Sequence, residues 1–82
     1  MNNVVIYTIN GCPYCSRAKK LLKERSIEFT EHVYKFDTPQ MDELIAKTHH
    51  DTVPQIFFGN KFIGGCDELE ELIRTDRLKS YL

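Results

Sequence analysis

At 82 residues the chain (1–82) reads as one small domain, which buries about 60–65% of the surface that its unfolded form exposes. Its 41% hydrophobic and 28% charged residues exclude a disordered or lipid-immersed composition. A formal net charge of -1 lacks the strongly basic footprint of a nucleic-acid binder. In chain order, Val4 to Thr8 is a β-branched and aromatic run that predicts a buried strand, and Asn10-Gly11 ends it. Pro13 suits the first position of a helix, where its missing N–H would lack a partner anyway. That helix is predicted to run to about Arg25. Cys15, Ala18, Leu21, Leu22 and Arg25 share one face, and Lys19, Lys20 and Lys23 take the wet side. Ile27, Phe29, Glu31 and Val33 alternate with Glu28, Thr30 and His32, which predicts a second strand with Glu31 as a blemish on its inner face.

Thr38-Pro39 has the form of an N-cap followed by the first helical residue. Met41, Leu44, Ile45 and Thr48 then carry helical spacing to about Lys47. Gln55-Ile56-Phe57-Phe58 and Lys61-Phe62-Ile63 flank Gly59-Asn60, a two-residue hairpin signal. Asp67 with Glu70 predicts a capping box, Leu69, Leu72 and Ile73 give a third helix its apolar face, and Asp76 to Tyr81 predicts a short final helical piece. The order is β-α-β-α-β-β-α, an α/β chain. Its first two strands should be parallel through a right-handed crossover, and its closing hairpin is antiparallel.

Three cysteines do not make a disulfide scaffold. Met1-Asn2-Asn3 lacks a basic start, and Val4-Val5-Ile6-Tyr7 is too short for a secretory core, so a cytoplasmic protein is expected. In a reducing compartment a close cysteine pair points to catalysis or metal binding. Cys12 and Cys15 are three apart, so they share a helix face and their sulfurs can close a small ring. Cys12, before Pro13, falls at the N-cap, where unpaired N–H groups and the positive helix end stabilise a thiolate. Arg17, Lys19, Lys20 and Lys23 add positive potential. The thiolate is the species that attacks a disulfide, so Cys12 is the expected nucleophile and Cys15 the resolving thiol. The competing reading is half of a zinc site. Zinc commonly takes about four ligands, and the chain otherwise offers Cys66, His32 and the adjacent His49-His50, a poor pair.

Three blocks resemble the glutaredoxins in order and spacing: Cys12-Pro13-Tyr14-Cys15, Thr52-Val53-Pro54 and Gly64-Gly65-Cys66-Asp67. The likeness covers essentially the whole chain. Pro-Tyr between the cysteines places it with the dithiol branch. Thioredoxins carry Trp before the first cysteine and Gly-Pro between, and this chain has no Trp. The resemblance implies a thioredoxin-like fold with a four-stranded mixed sheet flanked by helices. It implies an enzyme that reduces glutathione mixed disulfides and protein disulfides, with glutathione as the reducing co-substrate. No tightly bound cofactor and no metal are expected. The implied partners are glutathione and glutathionylated or disulfide-bonded proteins, with no nucleic acid, no membrane and a monomeric state.

The resemblance also implies a glutathione groove made by Tyr14, Thr52, Val53, Pro54, Gly65, Cys66 and Asp67. Pro54 is a cis proline in the family, and the bend would turn the Val53 N–H and C=O toward Cys12, where an extended peptide can pair as an added strand. Gly64-Gly65 would let a ligand backbone approach. The Cys66 and Asp67 N–H groups at a helix N-terminus would take a carboxylate, and Asp67 would meet an ammonium while capping the helix. Many glutaredoxins have a basic residue where this chain has Ile9. The glycine carboxylate of glutathione is therefore expected to find another partner, with Gln55 favoured over His50 and Lys19. Cys66 is expected to fill space and offer its backbone N–H rather than react. The alternative function is a dimer holding a glutathione-ligated iron–sulfur cluster, against which Pro13 weighs because cluster binders more often have small residues there.

Overall fold

The computed structural model describes residues 3–81; Met1 and Asn2, part of the stretch read above for a leader, and Leu82 lie outside the described residues. The elements run β1 (Val4–Thr8), α1 (Pro13–Glu24), β2 (Thr30–Val33), α2 (Pro39–Thr48), β3 (Gln55–Phe58), β4 (Lys61–Gly64) and α3 (Cys66–Arg74), with a final 3-10 turn at Leu78–Tyr81. The strands form one mixed sheet in the order β2-β1-β3-β4. β1 pairs parallel with β2 and antiparallel with β3, and β3 pairs antiparallel with β4. This is the architecture expected from the sequence.

Side-chain alternation along β1 divides the core in two. Val4 and Ile6 face one side, where with Ile56 and Phe58 they meet Ala18 and Leu22 of α1 and Leu69 of α3. Val5 and Tyr7 face the other, beside Phe57 and the α2 residues Met41 and Leu44. The first two helices begin where the sequence places their caps. Cys12 is the extended N-cap of α1 with Pro13 inside it. Thr38 Oγ1 accepts the Met41 N–H at 3.3 Å at the start of α2.

Three expectations change. The second strand begins at Thr30 rather than Ile27, because β1 offers its first parallel partner at Val5↔Thr30. Ile27 and Phe29 still pack against the core as irregular chain. Val33, expected inside, is 52% exposed, since β2 is an edge strand. The predicted Asp67–Glu70 box is replaced by a pairing two residues earlier: Gly65 is the N-cap of α3, and Glu68 Oε1 accepts the Gly65 N–H at 2.6 Å. Asp67 therefore sits in the first turn and does not cap.

Candidate active site

The two cysteines of the pair differ in depth. Cys12 is half-buried, whereas Cys15 is only 2% exposed beneath α1. The cause is helical geometry: an N-cap residue lies at the helix mouth, and the residue three on has turned toward the sheet. Cys12 Sγ accepts the Cys15 N–H at 3.2 Å, which gives this sulfur one of the otherwise unpartnered amides of the helix start. It also lies 4.0 Å from the Val53 carbonyl oxygen. Burial foremost, with a hydrogen bond to Cys12 adding, pushes the Cys15 thiol up to about 12; a backbone hydrogen bond from Ile9 and the charge of Lys19 oppose this. Cys12, Cys15 and Cys66 are all free thiols.

A cleft of about 420 Å³ is lined by Val53, whose carbonyl oxygen is the one 4.0 Å from Cys12 Sγ; neither cysteine of the pair lines it. Tyr14, Thr52, Val53 and Pro54 line it together with Gly65, Cys66 and Asp67. Seven of the expected groove residues are thus brought together. The Val53–Pro54 peptide bond is cis. Tyr14 is 63% exposed and stands at the rim. Cys66 is buried, its Sγ 3.9 Å from Glu70 Oε1. Burial and the Glu70 charge, opposed by Arg17, push this thiol up. Arg17 in turn binds Glu70 through both Nε, at 3.0 Å, and Nη2.

The glycines serve the protein's own packing as much as a ligand's approach. Gly64 has φ +117°, and a Cβ there would come within 2.5 Å of Glu68 Cγ. A Cβ on Gly65 would lie 3.0 Å from the Pro54 carbonyl oxygen. Gly65 therefore lets the start of α3 lie against the cis-proline loop, and Gly64 makes room for the Glu68 side chain that folds back to cap it.

Gln55 does not join the groove. It is fully buried in β3, its Nε2 donates to the carbonyls of His50 and Thr52, and its Oε1 accepts from Thr48 Oγ1 at 2.9 Å. With donors and acceptor committed to holding the loop between α2 and β3, it has no spare group for a ligand carboxylate. Lys19 is likewise engaged, with Nζ 3.0 Å from Glu31 Oε2. Of the three candidates for the glycine end, His50 is the one that lines the cleft; its ring packs edge-on against Phe62 at 5.5 Å. Glu68 stands outside the expected set yet also lines the cleft. Its signal was its place three residues after a glycine N-cap, a spacing hard to notice when the cap has no side chain.

Comparison with known proteins gives the family. The family model described as glutaredoxin matches residues 4–63. A Pseudomonas aeruginosa glutaredoxin is 43% identical over 82 residues, covering 100% of this chain and 98% of its own. Glutaredoxin 3 of Escherichia coli K12 is 44% identical over 72 residues, covering 88% of this chain and 87% of its own. Among solved structures, a buckwheat glutaredoxin in complex with glutathione is 32% identical with a TM-score of 0.89, covering 99% of this chain and 76% of that one. With the family model over most of the sequence and a relative aligned nearly end to end, the chain belongs to the glutaredoxin family and is a thiol–disulfide oxidoreductase.

Proposed function

We propose that the protein reduces glutathione mixed disulfides and protein disulfides, with Cys12 as the attacking thiolate, Cys15 as the resolving thiol and glutathione as the reductant. The observation that carries this reading is the difference in depth of the two sulfurs beside one cleft. The half-buried Cys12 can be reached by a substrate, and the 2% exposed Cys15 can be reached by Cys12. The cleft supports glutathione as the partner. Its Val53 carbonyl lies next to Cys12, its α3 start offers the Cys66 and Asp67 N–H groups, and the buckwheat relative was solved with glutathione.

Cys12 attacks the glutathione sulfur of a mixed disulfide, the substrate leaves as its thiol, and glutathione remains on Cys12. A second glutathione then displaces Cys12 and yields glutathione disulfide. On a protein disulfide, Cys15 attacks Cys12 instead, releasing the reduced protein and closing the Cys12–Cys15 bond. Tyr14 and Thr52 border the substrate, and Asp67 meets its ammonium. With Gln55 committed elsewhere, His50 takes the glycine carboxylate. The iron–sulfur alternative is not favoured, since Pro13 fills the first helical position directly after Cys12.

Steady-state assays on the two single variants test this. Cys12→Ser is expected to abolish glutathione-dependent reduction. Cys15→Ser should retain activity on small glutathione mixed disulfides and lose it on protein disulfides. Loss of all activity in Cys15→Ser with survival in Cys12→Ser would reverse the roles, and activity in both would refute the reading.

A further inference from the structure

The geometry points to Lys19 as a positioning residue for the resolving step: Glu31, itself held by Thr8, fixes the Lys19 ammonium one helical turn along α1 from Cys15, where its positive charge assists the attack of that sulfur on Cys12. The inference rests on the reading of Cys12 as nucleophile and Cys15 as resolving thiol. Thr8, 1% exposed at the end of β1, donates from Oγ1 to Glu31 Oε2 at 2.6 Å. The same carboxylate oxygen holds Lys19 Nζ at 3.0 Å. Lys19 follows Cys15 by four residues and so lies one turn along the same face of α1. Ile9, the residue after Thr8, supplies the backbone hydrogen bond to the Cys15 sulfur. The charged blemish of the sequence thus turns out to be an anchor. α1 carries Lys19 one turn from Cys15 and β2, braced by Thr8 of β1, fixes its ammonium, while the neighbouring Lys20 and Lys23 are exposed.

The groups acting on Cys15 change as the reaction proceeds. In the reduced protein Cys12 opposes its ionisation. Once Cys12 is tied up as a mixed disulfide, that opposition ends. The Ile9 backbone hydrogen bond and the Lys19 ammonium then remain as the two groups favouring a thiolate against burial. The other charges nearby are spoken for. From β2, Glu31 is bound by Thr8 and Lys19. From α3, Glu70 is bound by Arg17 and approached by the Cys66 thiol. In the step itself a Cys15–Cys12 bond forms as the Cys12–glutathione bond breaks. Cys15 is oxidised, the departing glutathione sulfur is reduced and leaves as a thiolate, and it takes up the proton that Cys15 gave to solvent.

The test is rapid mixing of reduced protein with glutathione disulfide across pH. The first equivalent of glutathione released reports attack by Cys12, and the second reports resolution by Cys15. Lys19→Gln is expected to slow the second release about three- to tenfold near neutral pH and move its pH profile to the alkaline side. Lys19→Arg should restore most of the rate. Glu31→Gln keeps an oxygen that accepts from Thr8 and Lys19 but removes the anion that offsets the ammonium, and should move the profile to the acid side. Opposite shifts cannot come from loosening alone. If Lys19→Gln and Glu31→Gln both slow the second release with an unmoved profile, the contact is structural and the inference falls. A wild-type protein that releases only one equivalent overturns the proposed function itself, and the inference with it.

Discussion

Polar side chains whose worth depends on their partners decide this site. Glu31 is a carboxylate on the inner side of an edge strand, and it is tolerated because Thr8 and Lys19 both bind it. Those hydrogen bonds, Thr8 first, hold its carboxyl below the usual glutamate range. A folded value below the unfolded one contributes stability at pH values above the unfolded value, and loses it as pH falls through the folded one. Glu31→Gln should therefore lower stability at neutral pH. The deficit should shrink below the ordinary glutamate range and vanish in stronger acid, as read from denaturant midpoints over pH. A deficit independent of pH would show that charge contributes nothing there. Gln55 is the matching case without a charge. Its sequence context, polar and beside Pro54, suggests a ligand group, but β3 lies between β1 and β4 and buries it. Single residues cannot reveal which strand becomes central.

At the scale of elements, most starts and stops could be read from the chain. Cys12-Pro13 and Thr38-Pro39 open α1 and α2 where their cap chemistry requires, and Gly59-Asn60 turns the hairpin between β3 and β4. What could not be read depends on neighbours. The length of β2 follows from where β1 offers a partner, and the cap of α3 comes from Glu68 folding back over a glycine. This last junction makes a prediction. Gly64→Ala places a methyl at φ +117° and against Glu68, which should cost roughly 1–3 kcal/mol of stability. Because part of that cost is steric, it should be smaller in a Glu68→Ala background, as measured by a double-mutant cycle in urea. Equal costs in the two backgrounds would assign the whole effect to the backbone.

For the whole molecule, the fold brings segments far apart in sequence to one end of the sheet. β1 leads into Cys12 at the mouth of α1, the turn before β3 brings Val53 to 4.0 Å from its sulfur, and the β4–α3 junction lines the cleft together with Val53. The three motif blocks marked this site in advance because each sits where an element ends. The burial of Cys15 was readable from its place on one helix face with Ala18 and Leu22, which are buried with it. The commitments of Gln55 and Lys19 were not, because they arise between elements. No helix among the described residues is long and apolar enough to cross a membrane.

The central claim is that Cys12 carries the substrate while Cys15 and Cys66 do not. Treating Cys15→Ser with glutathione disulfide, digesting it and locating the adduct by mass spectrometry tests this most directly. One glutathione on Cys12, with Cys66 unmodified, is the predicted result. A glutathione on Cys66 with Cys12 free, or no adduct at all, would contradict it.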